Sequence, residues 1–140
     1  IDTDGTIYMG TGSGTNGRFY AINSNGTKKW MVPYGDTGFW AASGTPNPRV
    51  NHLNAAIGDN SIYIGNGGTT GSVLAIDKAT GYRKAYVANS SNAGPGGGVT
   101  SGVLLDNKNR LFWQGGIYGL FRASASKMET DARVNWEWRF

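Results

Sequence analysis

The 140-residue chain contains no cysteine. That excludes a disulfide framework, a thiolate nucleophile, a cysteine zinc site and an iron–sulfur cluster. The compartment stays open, because a secreted domain with enough core folds without disulfides. Histidine is nearly as scarce, with His52 standing alone. No multi-histidine metal site can be built from it. A Ser–His–Asp site would have to use it, and the G-x-S-x-G elbow that presents such a serine is missing. Charged residues make up only 16% of the chain, against about 25% in ordinary globular domains. The net charge of +4 is scattered, and the only adjacent basic pairs are Lys28–Lys29 and Arg83–Lys84. A nucleic-acid-binding domain would show a dense basic stripe, so no nucleic-acid partner is expected. No apolar run approaches the ~20 residues that cross a bilayer, so no membrane span is expected.

Glycine is abundant, at 23 residues, and aromatics reach 12%. Disordered segments lack aromatics, so this composition reads as an all-β domain rich in turns. The chain also repeats itself. "DGTIYMG" (4–10), "DNSIYIG" (59–65) and "NRLFWQG" (109–115) each place alternating apolar residues between a turn and a glycine. Second strands follow at "RFYAINS" (18–24), "SVLAIDK" (72–78) and "GLFRASA" (119–125), and third strands at "KKWMV" (28–32), "RKAYV" (83–87) and "VNWEWRF" (134–140). "LNAAIG" (53–58) and "SGVLLD" (101–106) supply a leading strand to the second and third units. A period of roughly 50 residues is that of propeller blades and similar arrays. Each full unit reads as a four-stranded antiparallel meander, A to D, with Asn25-Gly26 and Thr80-Gly81 turning C into D. Only "ASASKMETDAR" (123–133) has the composition to hold a helical turn, inside a lengthened C–D connection.

The stretch "DGTIYMG…GRFYAINSNGTKKW" resembles the repeat of PQQ-like, quinoprotein-type β-propellers. In that family a D-G-x-[VI]-Y-[VI]-G strand precedes a docking motif of Ala, Asp or Asn, a Gly turn and a closing Trp. The motif maps to Ala21, Asn23, Gly26 and Trp30, and again to Ala75, Asp77 and Gly81. The second copy has Ala85 where the Trp belongs, a gap for Tyr86 or a neighbour's side chain to fill. The third is looser, with Ala123 or Ala125 and then Trp136. The resemblance implies an all-β fold: a β-propeller segment of roughly three four-stranded antiparallel blades, the first incomplete. Blade 1 would supply strands B–D over 4–32, followed by a long loop over 33–52, blade 2 over 53–88 and blade 3 over 99–140. Propellers close with 4–8 blades, so the expected partners are the remaining blades of a longer chain or other copies of itself. For a PQQ-dependent dehydrogenase the resemblance further implies a calcium-bound quinone, an acidic base and often a vicinal cysteine pair. The cysteine pair is missing, and no acidic cluster matches.

Other motifs carry little chemistry. "GSGTNG" (12–17) fits G-x-G-x-x-G, but a strand follows it where a dinucleotide fold needs a helix. "GPGGG" (94–98) is a connector, with no phosphate-binding lysine after it. "DTDGT" (2–6) shares two acidic positions with a calcium loop and lacks the distal Glu. The carboxylates left outside turns and motifs, Asp36, Glu129, Asp131 and Glu137, have no spacing that defines an acid–base pair. Two sequons, Asn25-Gly26-Thr27 and Asn89-Ser90-Ser91, matter only in a glycosylating source. The loop over 33–52 is much longer than an ordinary connection, and such loops are often functional. Its Tyr34, Asp36, Phe39, Trp40, Arg49 and His52 form a polar-aromatic mix suited to recognition. Meander geometry puts this loop on one face with the Gly-rich loops at 10–17, 65–71, 94–98 and 115–119. The leading expectation is a non-catalytic scaffold or interaction module without a cofactor, periplasmic or extracellular, that binds a protein or other ligand through this loop face. The alternatives are a fragment of a PQQ-dependent dehydrogenase, with PQQ and calcium in the full-length protein, and a carbohydrate-binding propeller.

Overall fold

Apolar residues at period two, punctuated by glycine and asparagine turns, build three sheets in the computed structural model of the chain. The structure describes residues 1–11, 18–33, 55–65, 73–88, 102–115, 119–135 and 137–139. Blade 1 contains β1 (Ile7–Thr11), β2 (Arg18–Ile22) and β3 (Lys28–Pro33), in that spatial order. Blade 2 contains β4 (Ala56–Ile57), β5 (Ser61–Gly65), β6 (Val73–Asp77) and β7 (Arg83–Ala88). Blade 3 begins with β8 (Leu104–Leu105), β9 (Arg110–Gln114) and β10 (Leu120–Ser124). Every pairing inside these meanders is antiparallel.

Local chemistry explains the turns. Asn23 and Gly26 close the β2–β3 hairpin through Asn23 N–H to Thr27 O (2.8 Å) and Gly26 N–H to Asn23 O (2.9 Å). The β6–β7 hairpin is one residue longer and uses Asp77 N–H to Tyr82 O (2.8 Å) and Gly81 N–H to Asp77 O (2.9 Å). Gly26 and Gly81 adopt φ of +84° and +78°, a region that a side chain makes costly. The Asp77 carboxylate also accepts from Ala79 N–H (3.0 Å), Thr80 N–H (2.8 Å) and the Thr80 hydroxyl (2.8 Å), which locks the longer turn.

The blades stack face to face, so the core consists of the seams between them. One seam joins Phe19, Ala21, Trp30 and Val32 of blade 1 to Ile62, Ile64, Leu74 and Ile76 of blade 2. The other joins the opposite face of blade 2, with Tyr63, Val73, Ala75, Ala85 and Val87, to Leu111, Trp113, Phe121 and Ala123 of blade 3. Blade 2 is covered on both sides, and every residue of β5 is buried.

The stretch 134–140, expected to be a single fourth strand of blade 3, is split. Helix α1 (Ala125–Thr130) occupies the lengthened β10 connection, with Ser124 Oγ accepting from Lys127 N–H (3.3 Å) at its start. The helix carries the chain past blade 3, and β11 (Arg133–Asn135) then adds in parallel to the outer edge of blade 2, with Val134 opposite Val87. The chain comes back at Glu137, whose N–H donates to Arg122 O (2.7 Å), and β12 (Trp138–Arg139) pairs antiparallel with β10. Blade 2 thereby gains a fifth strand, and blade 3 reaches four.

Candidate functional site

Two sets of polar contacts reach across the seams, and each seam is closed differently. At the first, the period-two pattern of β3 turns Trp30 towards blade 2. Its Nε1–H donates to Lys78 O (3.0 Å), in the β6–β7 turn. The ring lies so close to Gly81 that a Cβ there would sit 2.8 Å from Cδ2 and 2.9 Å from Cε3. Glycine is therefore required at that position for approach as well as for φ. Lys78 reaches back, pairing its ammonium with Asp2 of blade 1 and donating to Gly58 O (3.1 Å). The Asp2 side chain is only 7% exposed. Burial pushes its carboxyl up, but the Lys78 hydrogen bond and charge, together with Thr3, hold it below the usual range. Tyr8 packs on Trp30 with ring centroids 5.9 Å apart. Burial, then the charges of Asp2 and Asp4, push its phenol up to about 12.

The second seam has Ala85 in the register position of Trp30: Ala21 faces Trp30 in blade 1, and Ala75 faces Ala85 in blade 2. Ala85 is 1% exposed, so its space is filled. Helix α1 belongs to the same buried cluster, contributing Met128, and β11 contributes Val134. Tyr86, the residue expected to fill the gap, packs into the other seam instead, with the Arg83 guanidinium 5.5 Å from its ring. A polar latch runs beside Met128. Glu129 accepts from Tyr63 OH (2.9 Å) and pairs with the Lys84 ammonium, both in blade 2. Burial raises the Glu129 carboxyl, and the hydrogen bonds from Lys84 and Tyr63, with the Lys84 charge, outweigh it, leaving the group below its usual value. Ser61 Oγ is fully buried beside this carboxylate and contributes to that shift, although its geometry falls short of a formed hydrogen bond. Burial and the Glu129 carboxylate keep the Tyr63 phenol protonated far above its ordinary range. An open cleft lies over this latch, lined by Tyr63 and Glu129 with Asp59, Asn60, Asn109 and Ser126.

Of the residues singled out from sequence, Ala21, Gly26, Trp30, Ala75, Asp77 and Gly81 all lie at strand and turn positions of the first two blades. Tyr34, Asp36, Phe39, Trp40, Arg49, His52 and Trp136 fall outside the described residues. The backbone register puts Trp138 opposite Arg122, one residue short of Ala123, so it does not repeat the pairing of Trp30 with Ala21. The Glu129, Tyr63, Lys84 and Lys78 contacts were not legible in sequence. Only the Ala85 gap and the helix-compatible stretch hinted at the second seam. Among the described residues no three His, Asp or Glu side chains converge as metal ligands, and no helix is long and apolar enough to cross a membrane.

Antiparallel meanders stacked face to face around paired seams define this chain as a β-propeller segment. No family model matches it, and no curated protein is similar in sequence. Solved structures are similar in fold. One is the quinohemoprotein alcohol dehydrogenase of Comamonas testosteroni, with a TM-score of 0.64 at 18% identity over 100% of this chain and 20% of that one. A europium-containing methanol dehydrogenase gives 0.65 at 14% identity, over 97% of this chain and 31% of that one. A quinohemoprotein alcohol dehydrogenase from Pseudomonas putida HK5 gives 0.64 at 18%, over 97% and 25%. The chain thus spans from a fifth to a little under a third of these proteins' length. At these identities the likeness establishes the propeller fold.

Proposed function

We propose that this chain is a non-catalytic arc of a β-propeller, a scaffold and interaction module whose Ala–Gly–Trp motif docks one blade onto the next. The observation that carries the reading is the use made of the described polar groups. Trp30 is spent on Lys78, Lys78 on Asp2 and Gly58, and Glu129 on Tyr63 and Lys84. Apart from the Lys78–Gly58 contact inside blade 2, these contacts tie one blade to the next, and the Glu129–Tyr63 pair that borders the open cleft is held by Lys84. Ligand contact falls to the loop face, with Tyr34, Asp36, Phe39, Trp40, Arg49 and His52 as the proposed contacts, in a periplasmic or extracellular setting.

A second reading, an arc of a quinoprotein dehydrogenase, is favoured by fold likeness over 97% or more of the chain to three dehydrogenases. Among the described residues no three acidic side chains converge, so none of them assembles a carboxylate-rich calcium site. A quinone and its metal would have to be held by other residues. PQQ and calcium added to the full-length protein decide between the two. The scaffold reading expects no shift in quinone absorbance and no rise in melting temperature. A saturable spectral shift overturns it in favour of the dehydrogenase.

A further inference from the structure

We propose that Asn25 is a self-modifying site. The backbone nitrogen of Gly26 closes on the Asn25 side-chain amide, and water opens the resulting cyclic imide to aspartate or isoaspartate. The inference stands on the β2–β3 turn alone and is independent of the scaffold reading.

Imide formation needs an uncrowded nitrogen just past an asparagine, room for the ring to close, and water. Among the described residues Asn25 alone precedes a glycine. Asn23, Asn60, Asn107, Asn109 and Asn135 are each followed by a residue with a side chain. Glycine has no Cβ to crowd its nitrogen, and its backbone turns into conformations closed to other residues. Residues 24–29 are exposed, and a Cβ placed on Gly26 would meet nothing within 4 Å. The Gly26 N–H donates to Asn23 O (2.9 Å) at this solvent-facing tip, where water replaces a lost hydrogen bond at little cost. Covalent adjacency holds nitrogen and amide together at a high effective concentration.

The turn also prepares the electrophile. Asn25 Oδ1 accepts from Thr27 N–H (3.0 Å) and from the Thr27 hydroxyl (2.7 Å). The Asn23 side-chain amide donates to the same hydroxyl (3.0 Å), which leaves the hydroxyl proton for Oδ1. When the Gly26 nitrogen bonds to Cγ, its proton passes to water and negative charge gathers on Oδ1. Two donors already face that oxygen, as in an oxyanion hole. The Cγ–Nδ2 bond then breaks, and the nitrogen leaves as ammonia with a proton from water. A second water adds to one imide carbonyl. Opening at Cγ gives aspartate, and opening at the main-chain carbonyl gives isoaspartate, which lengthens the turn by one backbone carbon. The net change consumes one water and releases one ammonia, without a redox step. Either product sets a new carboxylate just ahead of Lys28 and Lys29. It also removes the amide on which the sequon Asn25-Gly26-Thr27 would carry a glycan. Isoaspartate further alters the hairpin that presents Trp30 to Lys78.

Peptide mapping by mass spectrometry tests this on protein held in warm, mildly alkaline buffer. Each conversion adds about one dalton to the peptide that carries it. Asn25 is expected to convert at least about tenfold faster than the other described asparagines. Thr27→Val is expected to slow it about fivefold, through the loss of one hydrogen bond to the developing charge, while Thr27→Ser keeps the wild-type rate. Gly26→Ala is expected to bring Asn25 down to the rate of its neighbours. Asn16–Gly17 and Asn66–Gly67 hold the same pair outside the described residues and serve as internal references, since neither should respond to a change at Thr27. Conversion of Asn25 no faster than that of Asn60 and Asn109 overturns the inference. So does a Thr27→Val rate equal to or above that of the wild type. The rates are read without PQQ or any other ligand, so the inference and the scaffold reading fail separately.

Discussion

Gly81→Ala and Gly26→Ala form a matched pair that separates the cost of backbone strain from the cost of displacing an indole. Both glycines sit at nearly the same φ, +78° and +84°, so each alanine incurs the left-handed penalty of about 1–2 kcal/mol. Only Gly81 faces a ring. Its new Cβ would lie 2.8 Å and 2.9 Å from Trp30 carbons, well inside van der Waals contact. Trp30 must then move, and overpacking of this kind costs about 1–3 kcal/mol. Movement also strains its 3.0 Å bond to Lys78 O, worth about 1 kcal/mol net. Gly81→Ala should therefore destabilise the 140-residue chain by about 3–6 kcal/mol, and Gly26→Ala by about 1–2 kcal/mol. Urea unfolding followed by tryptophan fluorescence measures both, with the m-value checking that the unfolded state is unchanged. If the two variants differ by less than about 0.5 kcal/mol, the close approach of Trp30 to Gly81 does not contribute to stability.

Trp30→Phe keeps an aromatic plane but drops the N–H, and should cost about 1 kcal/mol, whereas Trp30→Ala should cost about 3–5 kcal/mol; calorimetric melting of both gives the split. Glu129→Gln should cost about 1–2 kcal/mol at pH 7 by weakening the tie to Lys84. Because the folded Glu129 carboxyl lies below its usual 4.5, the unfolded chain binds more protons in the acid range. Its contribution is full above the unfolded pKa and is lost as pH falls through the folded one. Urea midpoints from pH 7 to pH 3 should thus fall less steeply for Glu129→Gln than for the wild type. Some acid slope should remain, since Asp2, Asp77 and Asp106 shift in the same direction. Asp77→Ala removes three hydrogen bonds from the β6–β7 turn and should cost about 1–2 kcal/mol, with Asp77→Asn recovering part of it in the same urea assay.

Most of the propeller frame was legible along the chain. Turn residues and period-two apolar runs are local signals, and each strand of the first two blades falls where "TIYMG", "RFYAI", "SIYIG" and "SVLAI" place it. The short helix was also readable, because 125–130 has no glycine and pairs Ala125 with Met128 on one face. What was not readable is where the chain goes after that helix. "VNWEWRF" alternates like one continuous strand, yet Arg133–Asn135 joins blade 2 and Trp138–Arg139 joins blade 3. Alternation records which side chains share a face and is silent about which sheet supplies the hydrogen bonds.

The composition and repeat of this chain by themselves determined that it stacks antiparallel meanders and that Gly26 and Gly81 turn their hairpins. Tertiary structure alone decided how the meanders are joined. Ala85 reads as a defect in a repeat until α1 is seen to bring Met128 and Glu129 to it from more than forty residues away. The physical reason is that turns and alternation arise from interactions between near neighbours, whereas a seam is closed by whatever side chain the folded chain delivers to the open space. Two seams in one short chain were closed by different means, one with an indole and one with a helix.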